Sequence, residues 1–261
     1  MPGFRSALVR SFTVQAAFTY ERMLGVGFAF AAAPVLRALG RGGDGGGTGK
    51  AGAPGGVGGG DGGAAFRAAL GRESRFFNAH PYFASLALGA ATRAEMDGVP
   101  PERIERLRAA LTGPLGSLGD RLIWAGWLPA CAALGLLLVA CSAGAWAVIA
   151  FLVLYNAVHL WLRAWGLVVG WRTGVGVAGA LASPGLQRAL ELVAPLAALV
   201  VGAALPALLG WYPFHARWEV PAAAGAAVLF AELARLLQGR ATGLVVAAFT
   251  LAVVVGVGVL W

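Results

Sequence analysis

Six polar residues stand where polar groups are costly, and their types limit the chemistry open to this chain. Asn78 and His80 flank Ala79 just before Pro81, between two apolar stretches. An amide and an imidazole on irregular backbone can replace the water around a neutral, hydroxyl-rich ligand in a low-dielectric cleft. The plainer reading is that Asn78 caps the next helix and His80 satisfies a carbonyl. Asp120 stands at the mouth of a run free of formal charge from Leu122 to Leu162, where an ionisable group is expensive unless paired or functional. It is placed to accept ligand hydroxyls, or else to pair with Arg121 or cap a helix starting at Leu122. Asn156, His159 and Arg163 fall at i, i+3 and i+7 and so share one helix face. A polar stripe in apolar sequence lines a pathway or meets a subunit, unless Arg163 snorkels beside Trp161 and Trp165 in an aromatic belt.

Other constellations are missing. The glycine-rich stretch 42–63 lacks the Gly-Lys-Ser/Thr ending of a phosphate loop. Cys131 and Cys141 lie inside the first apolar run, where a thiol behaves as a small hydrophobe, so neither a disulfide framework nor a metal site is expected. No residue is assigned a catalytic role, and no cofactor is expected. A formal charge of +8 and a pI near 10.7 could suggest nucleic acid, but the basic residues are scattered and no basic helix or aromatic-interleaved strand carries them.

The elements that hold these residues follow from a sharp asymmetry in charge. Residues 122–261 carry only six of the 20 Lys and Arg and three of the 12 Asp and Glu. A single helix over Leu122–Leu162 would be about twice the ~30 Å hydrocarbon thickness, so the run must fold back at least once. Further apolar stretches are 192–211, 220–237 and 241–261. With no water in the bilayer core, helices are the reading for runs of this length. The segment 165–187 is glycine-rich, contains Arg172, and is expected to be re-entrant or tilted.

Upstream, Phe12, Ala16, Tyr20, Met23, Gly27 and Phe30 recur at three- and four-residue intervals, predicting one amphipathic helix over about 11–39 that lies on the bilayer or on a partner. Glu21 and Arg22 lie off that stripe as solvated or partner-contacting residues. Helices are predicted over 64–77 and from Pro100-Pro101, the latter ending at Gly113-Pro114 and carrying a Glu102–Arg106 pair; Tyr82–Thr92 is an apolar piece too short to span alone. The resulting organisation is an all-α, polytopic integral membrane protein. It has an interfacial helix at 1–40, a flexible glycine-rich linker at 41–63, an interfacial or re-entrant helical region at 64–121, and transmembrane helices over 122–261.

Four blocks in order carry a resemblance. They are Ser11-Phe12 through Tyr20-Glu21-Arg22-Met23 and Gly25 to Phe30; Phe76-Phe77-Asn78-Ala79-His80-Pro81; Gly113-Pro114-Leu115-Gly116-Ser117-Leu118-Gly119-Asp120; and Tyr155-Asn156-Ala157-Val158-His159-Leu160 with Arg163 and Gly166. In this order and spacing the chain resembles subunit IID of the mannose, fructose and sorbose family of the bacterial phosphotransferase system. The resemblance implies a membrane subunit that pairs with subunit IIC to form a path for a hexose-type sugar, with IIA and IIB proteins as phosphate carriers. It implies multi-pass insertion in the bacterial cytoplasmic membrane and phosphoryl transfer on the partners. None of His80, His159 and His215 is expected to carry phosphate, since none is read as an exposed imidazole with a phosphate nest or cationic partner. Departures from the family are Ala79 in place of Thr, Arg121 in place of Ser, Leu24 in place of Gln, and the glycine linker in place of a charged helical connection. They keep a second reading open, a non-transporting regulatory or scaffold subunit that docks phosphotransferase proteins.

Overall fold

The computed structural model describes residues 1–41 and 61–208. In chain order the elements are α1 (Phe4–Ser11), α2 (Gly25–Arg41), α3 (Asp61–Glu73), α4 (Ala84–Met96), α5 (Pro101–Gly119), a π-helical segment (Asp120–Trp127), α6 (Leu128–Ala140), α7 (Ala145–Thr173), a 3-10 turn (Gly174–Gly176), α8 (Ala178–Leu181) and α9 (Pro184–Leu208). Among the described residues, strand pairing is limited to isolated bridges, Thr19 with Met23 and Met23 with Phe77. Among the described residues, three stretches are long and apolar enough to cross a membrane: Pro101–Ala140, Ala145–Gly176 and Ala178–Gly202. The all-α expectation holds. Residues 42–60 of the linker expected at 41–63, and the apolar stretches 220–237 and 241–261, lie outside the described residues, while Arg41 closes α2 and residues 61–63 open α3 rather than belonging to a linker.

The described residues divide into two compact units, one formed by 1–128 and 152–194, the other by 129–151 with 195–208. In the second unit the charge-free run folds back as its length requires. Helix α6 ends in a left-handed Ser142, with Ser142 N–H donating to Val139 O and Ala143 N–H to Leu138 O, both at 2.9 Å. This 6→1 and 5→2 pair satisfies the last carbonyls and turns the chain into α7.

In the first unit, α4 is buried from Ala84 to Thr92 and packs directly on α7. A methyl group on Gly89 would stand 2.6 Å from Trp171 N, and one on Gly170 would stand 2.9 Å from Ala90 N. Small residues therefore bring the two backbones into contact, the usual device for helix pairs without a water-driven attraction. A second packing centre joins α3, α4 and α5. Arg108 is buried and donates to the carbonyls of Arg72, Glu73 and Arg75 at the C-terminal end of α3, placing a cation on orphan carbonyls at the negative end of the helix dipole. It also covers the rings of Phe28 and Phe77 at 5.2 and 5.5 Å. Arg72 pairs with Glu95 through both carboxylate oxygens. Glu73 lies 3.1 Å from Arg108 Nε without hydrogen-bond alignment, and burial pushes its carboxyl up to about 7 against the pull of Arg108.

Several expectations are corrected. The single helix over 11–39 is two helices joined by irregular turns, and the Val14 carbonyl abuts Gly27. In one straight helix those residues would be about 20 Å apart. The core of this region is Ala7, Val14, Leu24, Phe28, Ala31, Val35 and Leu36, whereas Phe12, Ala16, Tyr20 and Phe30 are exposed. Gly113-Pro114 does not end a helix: α5 continues to Gly119 and on through the π segment, because Ile104, Leu111, Leu115 and Ile123 are all buried along it. Arg106 donates to the Glu102 carbonyl rather than pairing with its carboxylate. In the segment 165–187, expected to be re-entrant or tilted, α7 runs to Thr173, and the short turn at 174–176 and α8 lead to α9 at Pro184.

Candidate functional site

The loop between α3 and α4 is pinned by backbone bonds. Leu24 N–H donates to Phe77 O at 2.9 Å and Phe77 N–H to Arg22 O at 3.3 Å, so the N-terminal segment holds one side of the Asn78-Ala79-His80 turn. The His80 carbonyl accepts from Phe83 and Ala84 N–H at 3.0 Å each, and starts α4. His80 Nδ1 accepts from Tyr82 N–H at 3.3 Å. The imidazole is 3 % exposed and packs on the backbone of Gly119, where a side chain would collide with it. Tyr82 and Trp124 meet it edge-on at 4.9 and 5.9 Å. Its Nε2 is buried without a hydrogen-bond partner among the described residues. Burial lowers its pKa to about 4, more than the Asp120 charge raises it, so the ring is neutral at physiological pH.

Tyr82 joins this turn to α7. Its ring stacks on His159 at 4.0 Å, and its hydroxyl pairs with that of Tyr155. Burial and that hydrogen bond raise the Tyr82 phenol, which stays protonated. Arg163, 2 % exposed, donates from Nε to His159 Nε2 at 2.8 Å and from a terminal nitrogen to the Ser11 carbonyl. Its guanidinium lies 5.1 Å from the Phe12 ring and 5.3 Å from the Tyr82 ring. The acceptor role leaves His159 Nε2 without a proton.

The expected residues separate into two sets. His80, His159 and Arg163 come together through Tyr82. Asp120 opens the π segment directly after Gly119, is exposed, and acts on His80 through its charge. Asn78 is exposed and has no side-chain partner among the described residues. It does not cap α4, whose first flanking residue is Phe83 with no side-chain cap. Nor does Asp120 cap a helix at Leu122 or pair with Arg121, because the helix runs through uninterrupted and the pairing is not formed. Asn156 is exposed and turns back to the Leu152 carbonyl at 2.8 Å. Arg163 does not snorkel, while Trp161 is exposed and stacks on Trp165 at 5.8 Å. Glu21 and Arg22 are exposed, with no ion pair among the described residues.

Sequence reasoning missed Tyr82, Trp124 and the π segment. Tyr82 follows Pro81 and Tyr155 lies four residues before His159, which was signal enough to suspect both. Nothing local marks the π segment, a helix form found often at functional sites. The geometry is an aromatic and cationic core of Tyr82, His159 and buried Arg163, with the Asn78 amide and the Asp120 carboxylate left exposed. Among the described residues no three His, Cys, Asp or Glu side chains converge as a metal site would require.

The family model for the PTS system mannose/fructose/sorbose family IID component matches residues 61–257. The chain is 28 % identical over 204 residues to the mannose-specific EIID component of Escherichia coli K12, covering 76 % of this chain and 65 % of that protein. It is 30 % identical over 202 residues to the sorbose-specific EIID component of Klebsiella pneumoniae, covering 76 % and 66 %. The chain therefore spans just under two thirds of the length of these relatives. Among solved structures, a chain of the mannose transporter ManYZ in complex with microcin E492 aligns over 98 % of this chain and 95 % of its own, with TM-score 0.55 and 22 % identity. Another membrane protein aligns over the same shares with TM-score 0.61 and 21 % identity. These two structural likenesses establish the fold, and the family match, which takes in Asn78, His80, Asp120 and the whole of α7, establishes kinship: the chain belongs to the IID component family of the mannose, fructose and sorbose phosphotransferase systems.

Proposed function

We propose that this chain acts with a IIC subunit as the membrane path for a hexose-type sugar, while IIA and IIB proteins deliver the phosphoryl group. The observation that carries the reading is the placement, in a IID-family chain, of exposed and unpaired Asn78 and Asp120 around a neutral, buried His80. A sugar is uncharged and needs an acceptor and an amide fixed at a cleft, and an anion beside a neutral imidazole supplies a hydroxyl acceptor without a second charge. Tyr82, His159 and Arg163 keep the turn seated on α7. In this reading the chain performs binding, gating and assembly, and phosphoryl chemistry belongs to the partners. Residues 1–40 lie at the cytoplasmic interface of the bacterial inner membrane, consistent with the concentration of arginine before residue 122. Glu21 and Arg22 are open to contact IIC.

The test is phosphoenolpyruvate-dependent uptake of labelled hexoses into vesicles holding this chain with its IIC, IIA and IIB partners. Phosphorylated sugar should accumulate for wild type and fall at least tenfold for Asn78→Ala and Asp120→Asn, with assembly unchanged. A stable IIC complex that accumulates no sugar would reject the transport role and leave the docking scaffold, which Arg121 beside Asp120 would then explain.

A further inference from the structure

The outward side of α1 is unlike its inward side. Ala7 and Ser11 form its buried stripe, continued past the helix end by Val14, and the opposite stripe is Arg5 and Val9, continued by Phe12 at the C-cap, with Val9 67 % exposed. Beyond it, Phe18 and Tyr20 meet edge-on at 6.0 Å, and Tyr20 is 89 % exposed. Arg10 lies over the ring of the exposed Phe30 at 4.4 Å. No Asp or Glu occurs before Glu21, so this surface is apolar and aromatic with only positive charge.

Its depth follows from one bond. Arg163 holds the Ser11 carbonyl at the end of α1. Arg163 stands on α7 between Trp161 and Trp165. At this level Trp161 is exposed and stacks on Trp165 at 5.8 Å, as side chains of an interfacial aromatic belt do. The Arg163 tie therefore sets α1 at headgroup level, where Val9 and Phe12 reach the acyl boundary and Arg5 and Arg10 meet phosphates.

We propose that the Arg5–Val9–Phe12 face of α1, extended by Arg10, Phe18 and Tyr20, is a docking surface for anionic phospholipid, selective for its net negative headgroup. This rests on the interfacial reading of residues 1–40. A basic residue near an anionic surface contributes on the order of 1 kcal/mol, which corresponds to about fivefold local enrichment of the anionic lipid. Zwitterionic lipid shares the apolar contact but not this term.

The experiment uses the full chain with Cys131→Ser, Cys141→Ser and Val9→Cys, labelled with a fluorophore and reconstituted in vesicles of phosphatidylcholine and phosphatidylglycerol. Spin-labelled forms of either lipid, at equal mole fraction, quench it. Quenching by labelled phosphatidylglycerol should exceed that by labelled phosphatidylcholine two- to fivefold. The excess should disappear in Arg5→Gln/Arg10→Gln and shrink at high salt. Equal quenching by both lipids would overturn the anionic preference and leave the interfacial reading intact. Quenching by neither would overturn both and assign the face to a protein partner.

Discussion

Adding a single methyl group at Gly170 should separate α4 from α7. Its carbon would stand 2.9 Å from Ala90 N and 3.0 Å from Leu86 C and would overlap the Leu86 carbonyl oxygen, where ordinary contacts are 3.4–4 Å. All the obstructing atoms are backbone, so no rotamer relieves the clash and the helices must part by about 1 Å. Overpacking a tight interior costs about 1–3 kcal/mol, and the rigid neighbours place Gly170→Ala near 3. At about 2–4 °C per kcal/mol for a chain of this size, the midpoint of thermal unfolding in detergent should fall by about 6–12 °C. The control is Gly116→Ala, at a helical position with nothing within 4 Å of the added carbon. Alanine there should be neutral or stabilising by up to about 1 kcal/mol, since it restricts the unfolded chain. A Gly170→Ala protein as stable as wild type, or an equal loss from Gly116→Ala, would refute backbone contact as the reason for glycine in this seam.

Three more outcomes follow from the buried charges. Arg163→Met keeps bulk but strands the Ser11 carbonyl and His159 Nε2, and should cost about 1–3 kcal/mol while exposing residues 1–24 to protease well before α7 is cleaved. Glu73 binds its proton more tightly folded than unfolded, so wild-type stability should be greatest below pH 4.5 as far as this group is concerned. It should decline as pH rises towards about 7, and Glu73→Gln should flatten that part of the profile by an amount on the order of 3 kcal/mol. His80 has the opposite sign. Its folded pKa is depressed, so its contribution is present above pH 6.5 and is lost as pH falls towards about 4, and stability curves of His80→Gln should lack that loss.

Much of this protein was legible in order and composition. Charge asymmetry alone required membrane helices, because backbone amides in lipid must bond within their own segment. The length of the charge-free run required a reversal, and Asn156, His159 and Arg163 were assigned one helix face from spacing. Four ordered blocks pointed to the IID family. What periodicity could not supply was every interaction between residues distant in the chain. It ran one helix through 11–39 because the apolar spacing continues, whereas the contact of Val14 with Gly27 breaks it. It ended a helix at Pro114 because proline removes a local bond, whereas burial of Leu115 and Ile123 carries the helix on.

The same division runs through the candidate site. Residue types at 78, 80, 120, 156, 159 and 163 named the polar inventory, since polar groups near apolar runs need a reason to be there. Only the tertiary structure decided that Arg163 is a buried tie to Ser11 and that Tyr82 joins two histidines. It alone left Asn78 and Asp120 open. Local sequence encodes which face a side chain can occupy, because helix geometry relates i to i+3 and i+4. Which distant backbone meets that face depends on packing the whole chain, and there a carbonyl 152 residues away settles the role of an arginine.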